Sequence, residues 1–133
     1  MKRILPVMIL AGLFLMVVQI NRQSGAVLAI HFQEVMGLSA TQIGFISGAM
    51  YLGATLVQVP TGILFDRFGA RVTLSGMGVL AIIGLVWFAL SDQVFGLAAG
   101  RALVGIGHAG VITGIYMLAI AWTSAERMAS TSA

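Results

Sequence analysis

The chain has 133 residues, 59% hydrophobic and 8% charged, with a net charge of +3 and a mean hydropathy of +1.05. Soluble domains carry roughly 25% charged residues, so this composition excludes an ordinary water-soluble domain and makes a bilayer the natural solvent. Cysteine is absent, which excludes a disulfide framework, thiol catalysis and a Cys-ligated metal, and the basic residues flank apolar runs, which favours topology over nucleic-acid binding as their role.

The first apolar run covers 4–20, after Lys2 and Arg3. A polar patch, Asn21-Arg22-Gln23-Ser24-Gly25, separates it from a second apolar stretch at 26–32. The run is too long for a signal-peptide core, and Arg22 is wrongly placed for one, so cleavage is not expected. Two readings fit the patch. Either helix one ends at Ile20 and the patch is an outer loop, or the helix continues to about Gln33 with the patch inside the membrane. The stretch 26–32 cannot span alone, so both give one topology. The absence of Pro or a turn dipeptide favours the continuous helix. On it, Gln19, Arg22, Gln23, Ala26, Ala29 and Gln33 form one polar or small stripe at i, i+3, i+4 spacing. An intramembrane Arg should face a bundle interior or a wet cavity; the competing role for Arg22 is an interfacial residue that snorkels to the head groups.

Ser39, with Gln42 three residues later, has the spacing of a capping box at the start of helix two. Apolar runs follow at 43–65, 72–90 and 94–122, each long enough for about 30 Å of hydrocarbon at roughly 1.5 Å per residue. The links between them are short, so sequential helices should be antiparallel neighbours. The expected fold class is an all-α membrane protein of about four antiparallel transmembrane helices, near 4–33, 40–65, 72–91 and 93–122. These form a membrane segment over 1–123, with a polar cytoplasmic tail over 124–133. Four crossings put Lys2, Arg3, Arg67, Arg71 and Arg127 on one side, and Glu34 and Asp92 on the other. The positive-inside rule then places both termini in the cytoplasm, with the bacterial inner membrane as the expected plasma membrane.

In helix four, Arg101, Gly105, His108 and Ile112 share one face. His108 titrates near neutral pH, so a proton-linked role competes with a hydrogen-bonded packing role. His31, near the outer end of helix one, is assigned no role. The pairs Gly44/Gly48, Gly96/Gly100 and Gly110/Gly114 read as helix contacts.

The turn after helix two reads Gly62-Ile63-Leu64-Phe65-Asp66-Arg67-Phe68-Gly69-Ala70-Arg71, preceded by Gln58-Val59-Pro60-Thr61. It resembles the signature cytoplasmic loop of the major facilitator superfamily, G-x-L-a-D-r-x-G-r-[kr]. Arg101-Ala102-Leu103-Val104-Gly105-Ile106-Gly107 is similar to that family's helix-four pattern, R-x-x-x-G-x-G. Val72 departs from the loop pattern, where many members carry a second basic residue. The resemblance covers nearly the whole chain and implies a partial N-terminal bundle, the first four of about twelve helices arranged in two halves. It implies that Gly62, Asp66, Arg67, Gly69 and Arg71 form a cytoplasmic gate motif, with Asp66 latching to the other half. It also implies a coupling or bundle-stabilising role for Arg101 with Gly105 and Gly107. Independently of the family, Gly69 suits a tight turn with φ > 0.

No enzyme constellation is visible. Asp66, Asp92, Glu34 and Glu126 lie near different faces or helix ends, and the glycines from Gly105 to Gly110 lie in an apolar run rather than a phosphate loop. Neither a metal nor a cofactor is expected. The expected function is secondary transport of the major facilitator type, by symport or antiport. The solute is small and anionic if Arg22 serves it, and Gln19, Arg22, Gln23, Arg101 and His108 are the candidate substrate-binding or coupling residues. The expected partners are the lipid bilayer, a small solute, protons, and either a missing transporter half or a second copy of the chain. The chain is expected to be an N-terminal fragment, inactive alone. The alternatives are a self-sufficient four-helix homodimeric small-drug exporter, or a membrane remnant that transports nothing.

Overall fold

The computed structural model describes residues 4–111, 113–117 and 120, with side chains from Ile9 onward except those of residues 10 and 11. Lys2, Arg3, Ile112, Glu126, Arg127 and the tail over 124–133, for which the sequence sets expectations, lie outside the described residues. The described chain forms four helices, α1 (Ile4–Glu34), α2 (Ala40–Leu56), α3 (Gln58–Ala89) and α4 (Val94–His108). By length and composition three stretches are apolar enough to cross a membrane, Gly12–Glu34, Gln58–Ala89 and Val94–Met117, the second of them being two segments joined at Gly69.

Helix α1 runs without interruption through the polar patch. The chain then turns at Gly37, where φ is +64°. Helix α2 starts at the capping box: the Ser39 N–H donates to Gln42 Oε1 at 2.8 Å, and the Gln42 N–H donates to Ser39 Oγ at 3.3 Å. These two bonds satisfy donors that a helix start leaves free.

The second and third expected helices have different boundaries from the sequence reading. The helix breaks at Val57 (φ −98°, ψ 3°). Pro60 explains the break, because it has no N–H for the Leu56 carbonyl and its ring crowds that carbonyl. Helix then resumes at Gln58 and persists past the expected loop at 66–71, with one non-helical residue, Gly69 (φ 76°, ψ 167°). There the chain folds back. Phe65 and Met77 both approach Gly110, although twelve residues of straight helix would separate them by about 18 Å. The Thr73 hydroxyl closes the reversal by donating to Leu64 O at 3.0 Å. Thus 58–68 continues the path of α2, and 70–89 makes the next crossing.

Helix α4 packs between these segments through glycine. A β-carbon at Gly100 would meet Phe88, one at Gly107 would meet Met77 and Ala81, and one at Gly105 would meet the Met50 backbone. Helix α4 thus runs antiparallel to 70–89 and parallel to α2. Past His108 it departs from the uninterrupted expected helix, with a turn at Ala109 and Gly110 before helix resumes. Backbone this close is what membrane helices need, since lipid supplies no hydrophobic drive between them. The pair Gly44/Gly48 departs from expectation, because a β-carbon at either would meet nothing within 4 Å. These glycines face space that the described residues leave open.

A buried apolar cluster joins Phe32 of α1, Ile46 and Ala49 of α2, and Leu97 and Ala98 of α4, with Phe88 against it. Phe32 and Phe88 meet edge to face, with centroids 6.0 Å apart. Elsewhere large apolar side chains point outward, among them Ile20, Val27, Leu90 and Phe95. A surface this apolar is suited to hydrocarbon or to further helices, not to water.

Candidate functional site

Two cavities adjoin where α1, α2 and α4 meet. The first, about 260 Å³, is lined by Arg22 from α1, Tyr51 and Thr55 from α2, Gln58 from α3, and His108 and Thr113 beside the α4 turn. Arg22, Tyr51, Thr55, Gln58 and Thr113 are exposed, so the cavity is a cleft open on one side. Arg22 lies with its guanidinium carbon 5.7 Å from the centroid of the Tyr51 ring, within range of a cation–π contact. His108 is half-buried, and its Nδ1 has no hydrogen-bond partner among the described residues.

The second cavity, about 310 Å³, shares Arg22, Met50 and Tyr51 and adds Gln23, Ser47 and Arg101. Arg101 is 4% exposed. Its Nη1 donates to Asn21 O at 3.1 Å and contacts Met50 Sδ at 3.8 Å, and its Nη2 donates to Ser24 Oγ at 3.4 Å. Its guanidinium carbon sits 5.0 Å from the Phe88 ring centroid. A buried cation is costly unless hydrogen-bonded. The α1 patch supplies that bonding through a backbone carbonyl and a hydroxyl, without a carboxylate. Two nitrogens are thereby held and Nε is left unpaired.

Of the candidates read from the sequence, Arg22 and His108 share the first cavity, and Arg22, Gln23 and Arg101 share the second. Gln19 is exposed and lines neither. Gly105 and Gly107, buried on α4, serve close packing. In the gate motif, Gly69 takes the positive φ expected of it. Gly62, Asp66, Arg67 and Arg71 are exposed around the reversal, and Arg67 lies over the Phe68 ring, 5.5 Å from its centroid. Sequence reading missed Tyr51, Thr55 and Gln58. Their i, i+4, i+7 spacing marks one helix face and was a usable signal. It also missed Asn21 and Ser24 as the anchors of Arg101.

Among the described residues neither cavity is lined by Asp or Glu. The site therefore pairs a fixed cation and neutral hydrogen-bonding groups with a titratable imidazole, at mid-depth in an apolar bundle. These features define a multi-pass helical membrane protein with a polar cleft between its helices.

Comparison with known proteins gives the family. Residues 5–133 match the sequence model of the Major Facilitator Superfamily, and the chain belongs to that superfamily. It is 31% identical over 81 residues to the nitrite extrusion protein of Bacillus subtilis, covering 61% of this chain and 20% of that protein. It is 36% identical over 81 residues to the inner membrane transport protein YajR of Escherichia coli, covering 61% and 18%. To the D-galactonate transporter of Escherichia coli it is 33% identical over 98 residues, covering 73% and 20%. Relatives named as facilitated glucose transporters also match. The matched regions span about a fifth of the length of these relatives. No solved structure gives a significant match.

Proposed function

We propose that this chain forms the first helices of a secondary transporter that carries a small anion, and that the Arg22 cleft is its share of the solute path. The observation that carries this reading is a cation in a cleft that no carboxylate lines among the described residues. A cation that lies within a membrane-spanning helix calls for a counter-charge, and here the solute is the group that brings one. The names of two relatives, for nitrite and for D-galactonate, agree with an anionic solute, whereas glucose would not. The charge of the solute is therefore argued from Arg22 rather than from kinship.

In such transporters the solute lies near the bilayer midplane between two halves that rock about it. The open side of the cleft is where a second half would close it. The uncovered small-residue face at Gly44 and Gly48 fits another helix lying against α2. The reading includes cytoplasmic termini and a bacterial inner membrane. It also holds that the isolated chain does not transport.

The test is nitrite binding to the purified chain in lipid nanodiscs, with Arg22→Gln as the variant. Hydrogen bonds to a charged group contribute roughly 1.5–3 kcal/mol, so the variant should bind at least about tenfold more weakly. Binding unaffected by Arg22→Gln overturns the reading of the cleft. Saturable nitrite uptake by vesicles holding this chain alone, lost in Arg22→Ala, replaces the fragment reading with a self-sufficient homodimer.

A further inference from the structure

We propose that His108 is the proton-carrying group of the Arg22 cleft, so that an anion binding beside Arg22 takes up a proton with it. The inference rests on the anion-carrying reading above and adds the coupling ion and its residue.

The argument starts from an unmet bond. A histidine that serves only to pack helices is expected to use its ring nitrogens in bonds between them, and a buried nitrogen without a partner is costly. The Nδ1 of His108 is buried and unpartnered among the described residues, yet the ring borders a cleft of about 260 Å³. Water occupies roughly 30 Å³ per molecule, so the cleft has room for a small anion together with several waters.

The surroundings then decide when a proton is welcome. From α1, Arg22 faces the cleft; from α2, Tyr51; from α3, Gln58, which is neutral. The α3 residues that pack deeper against this part of α4 are Thr61, Phe65, Met77 and Ala81, which do not titrate. On α4 itself Arg101 lies seven residues away, about 10 Å along the helix, and lines the neighbouring cavity. Among the described residues every full charge facing the ring is positive, so an imidazolium in the empty cleft meets only like charge from them. An anion beside Arg22 reverses this, since it gives the imidazolium a partner and gains a second cation in return. Arg22 is a permanent cation and His108 a conditional one, and only the conditional one can tie anion binding to the proton gradient. The tie is reciprocal: whatever factor the anion adds to proton affinity, the proton adds to anion affinity.

The backbone tightens after His108 while staying in the helical region, with Ala109 at φ −59° and ψ −36°. The chain turns at Ala109 and Gly110, with the Ala109 N–H donating to Ile106 O at 3.2 Å.

The experiment measures nitrite affinity of the purified chain in nanodiscs at about pH 5.5 and about pH 8, on either side of the ordinary histidine range. Wild type should bind at least about fivefold more tightly at the lower pH, the lower end of typical site-to-site coupling. His108→Gln should hold one affinity at both, near the wild-type value at high pH. His108→Lys should bind tightly at both. His31→Gln, at an exposed position near the end of α1, should keep the wild-type dependence. With only two histidines in the chain, 15N-histidine NMR provides a readout that needs no variant. Near pH 7, nitrite should move the His108 resonances toward the protonated form and leave those of His31 in place. Arg22-dependent binding that ignores pH, or pH dependence that survives in His108→Gln, overturns the proton coupling and leaves the anion reading standing. An absence of Arg22-dependent binding at either pH overturns both.

Discussion

Gly105→Ala is expected to destabilise the bundle, although alanine is the better helix former. A β-carbon at Gly105 would fall against the Met50 carbonyl oxygen, 2.8 Å from its carbon and 3.1 Å from its Cα. All three are backbone atoms and cannot rotate away. Ordinary carbon contacts need about 3.5 Å or more, so α2 and α4 must part by the better part of an ångström. A gap of 0.5–1 Å forfeits roughly a quarter to a half of each contact's dispersion energy. Overpacking typically costs about 1–3 kcal/mol. The propensity gain of about 1 kcal/mol offsets part of that, leaving a net loss of up to about 2 kcal/mol, toward the upper end here because the overlap is with backbone. Gly44→Ala is the matched control. It gains the same propensity and meets nothing within 4 Å, so it should stabilise the isolated chain by up to about 1 kcal/mol. Unfolding of both variants in one detergent, followed by circular dichroism, gives the two signs directly. If Gly105→Ala is as stable as Gly44→Ala, the backbone contact between α2 and α4 is not present as described.

Arg101→Ala should cost about 2–4 kcal/mol in the same assay, because it empties a buried site and removes two bonds between α4 and α1, while Ser24 keeps its bond to Asn21 O. Arg101→Lys should recover less than half of that loss, since an ammonium cannot span both acceptors as the fork does; full recovery would refute the bidentate anchor. Gly69→Ala should cost about 1–3 kcal/mol from its backbone conformation alone (φ 76°, ψ 167°), a region open essentially to glycine, whereas exposed Asp66→Asn should change stability by less than about 0.5 kcal/mol. A large Asp66→Asn effect would reveal a charge partner within this chain. For topology, the chain has no cysteine, so single cysteines report cleanly: one at Asp92 should react with an impermeant reagent from outside, and one at Phe68 should not. The reverse pattern would refute the orientation drawn from the basic residues.

The sequence carried the helix count and the reversals because they depend on local chemistry. Gly69 had to supply a left-handed turn, Ser39 and Gln42 had to cap a helix, and no breaker stood between Asn21 and Gly25 to stop α1. The interruptions at Val57 and at Ala109 were less visible. Pro60 announced the first in hindsight, but a proline near a helix end is read as readily as a terminus. The second lies in a glycine-rich stretch, where small residues permit a turn without requiring it. The site was half legible. Charge and periodicity found Arg22, Arg101 and His108. Which of the polar groups meet across the cleft depended on the rotation of α2 against α4. That rotation is set by which glycine lies against which carbonyl, a relation between distant segments that no local pattern records.

The unequal fastening of the four helices has a mechanical consequence. Helix α4 is joined backbone to backbone to α2 and to α3, so separating it from either breaks many contacts at once. Helix α1 is held mainly by the apolar cluster around Phe32 at one end and by the Arg101 fork near its middle, and much of its remaining length is exposed. Under a load applied to its N-terminus, α1 would therefore leave first and alone. It would yield at two clasps in turn, the guanidinium and then the phenylalanine cluster, while the other helices stayed assembled.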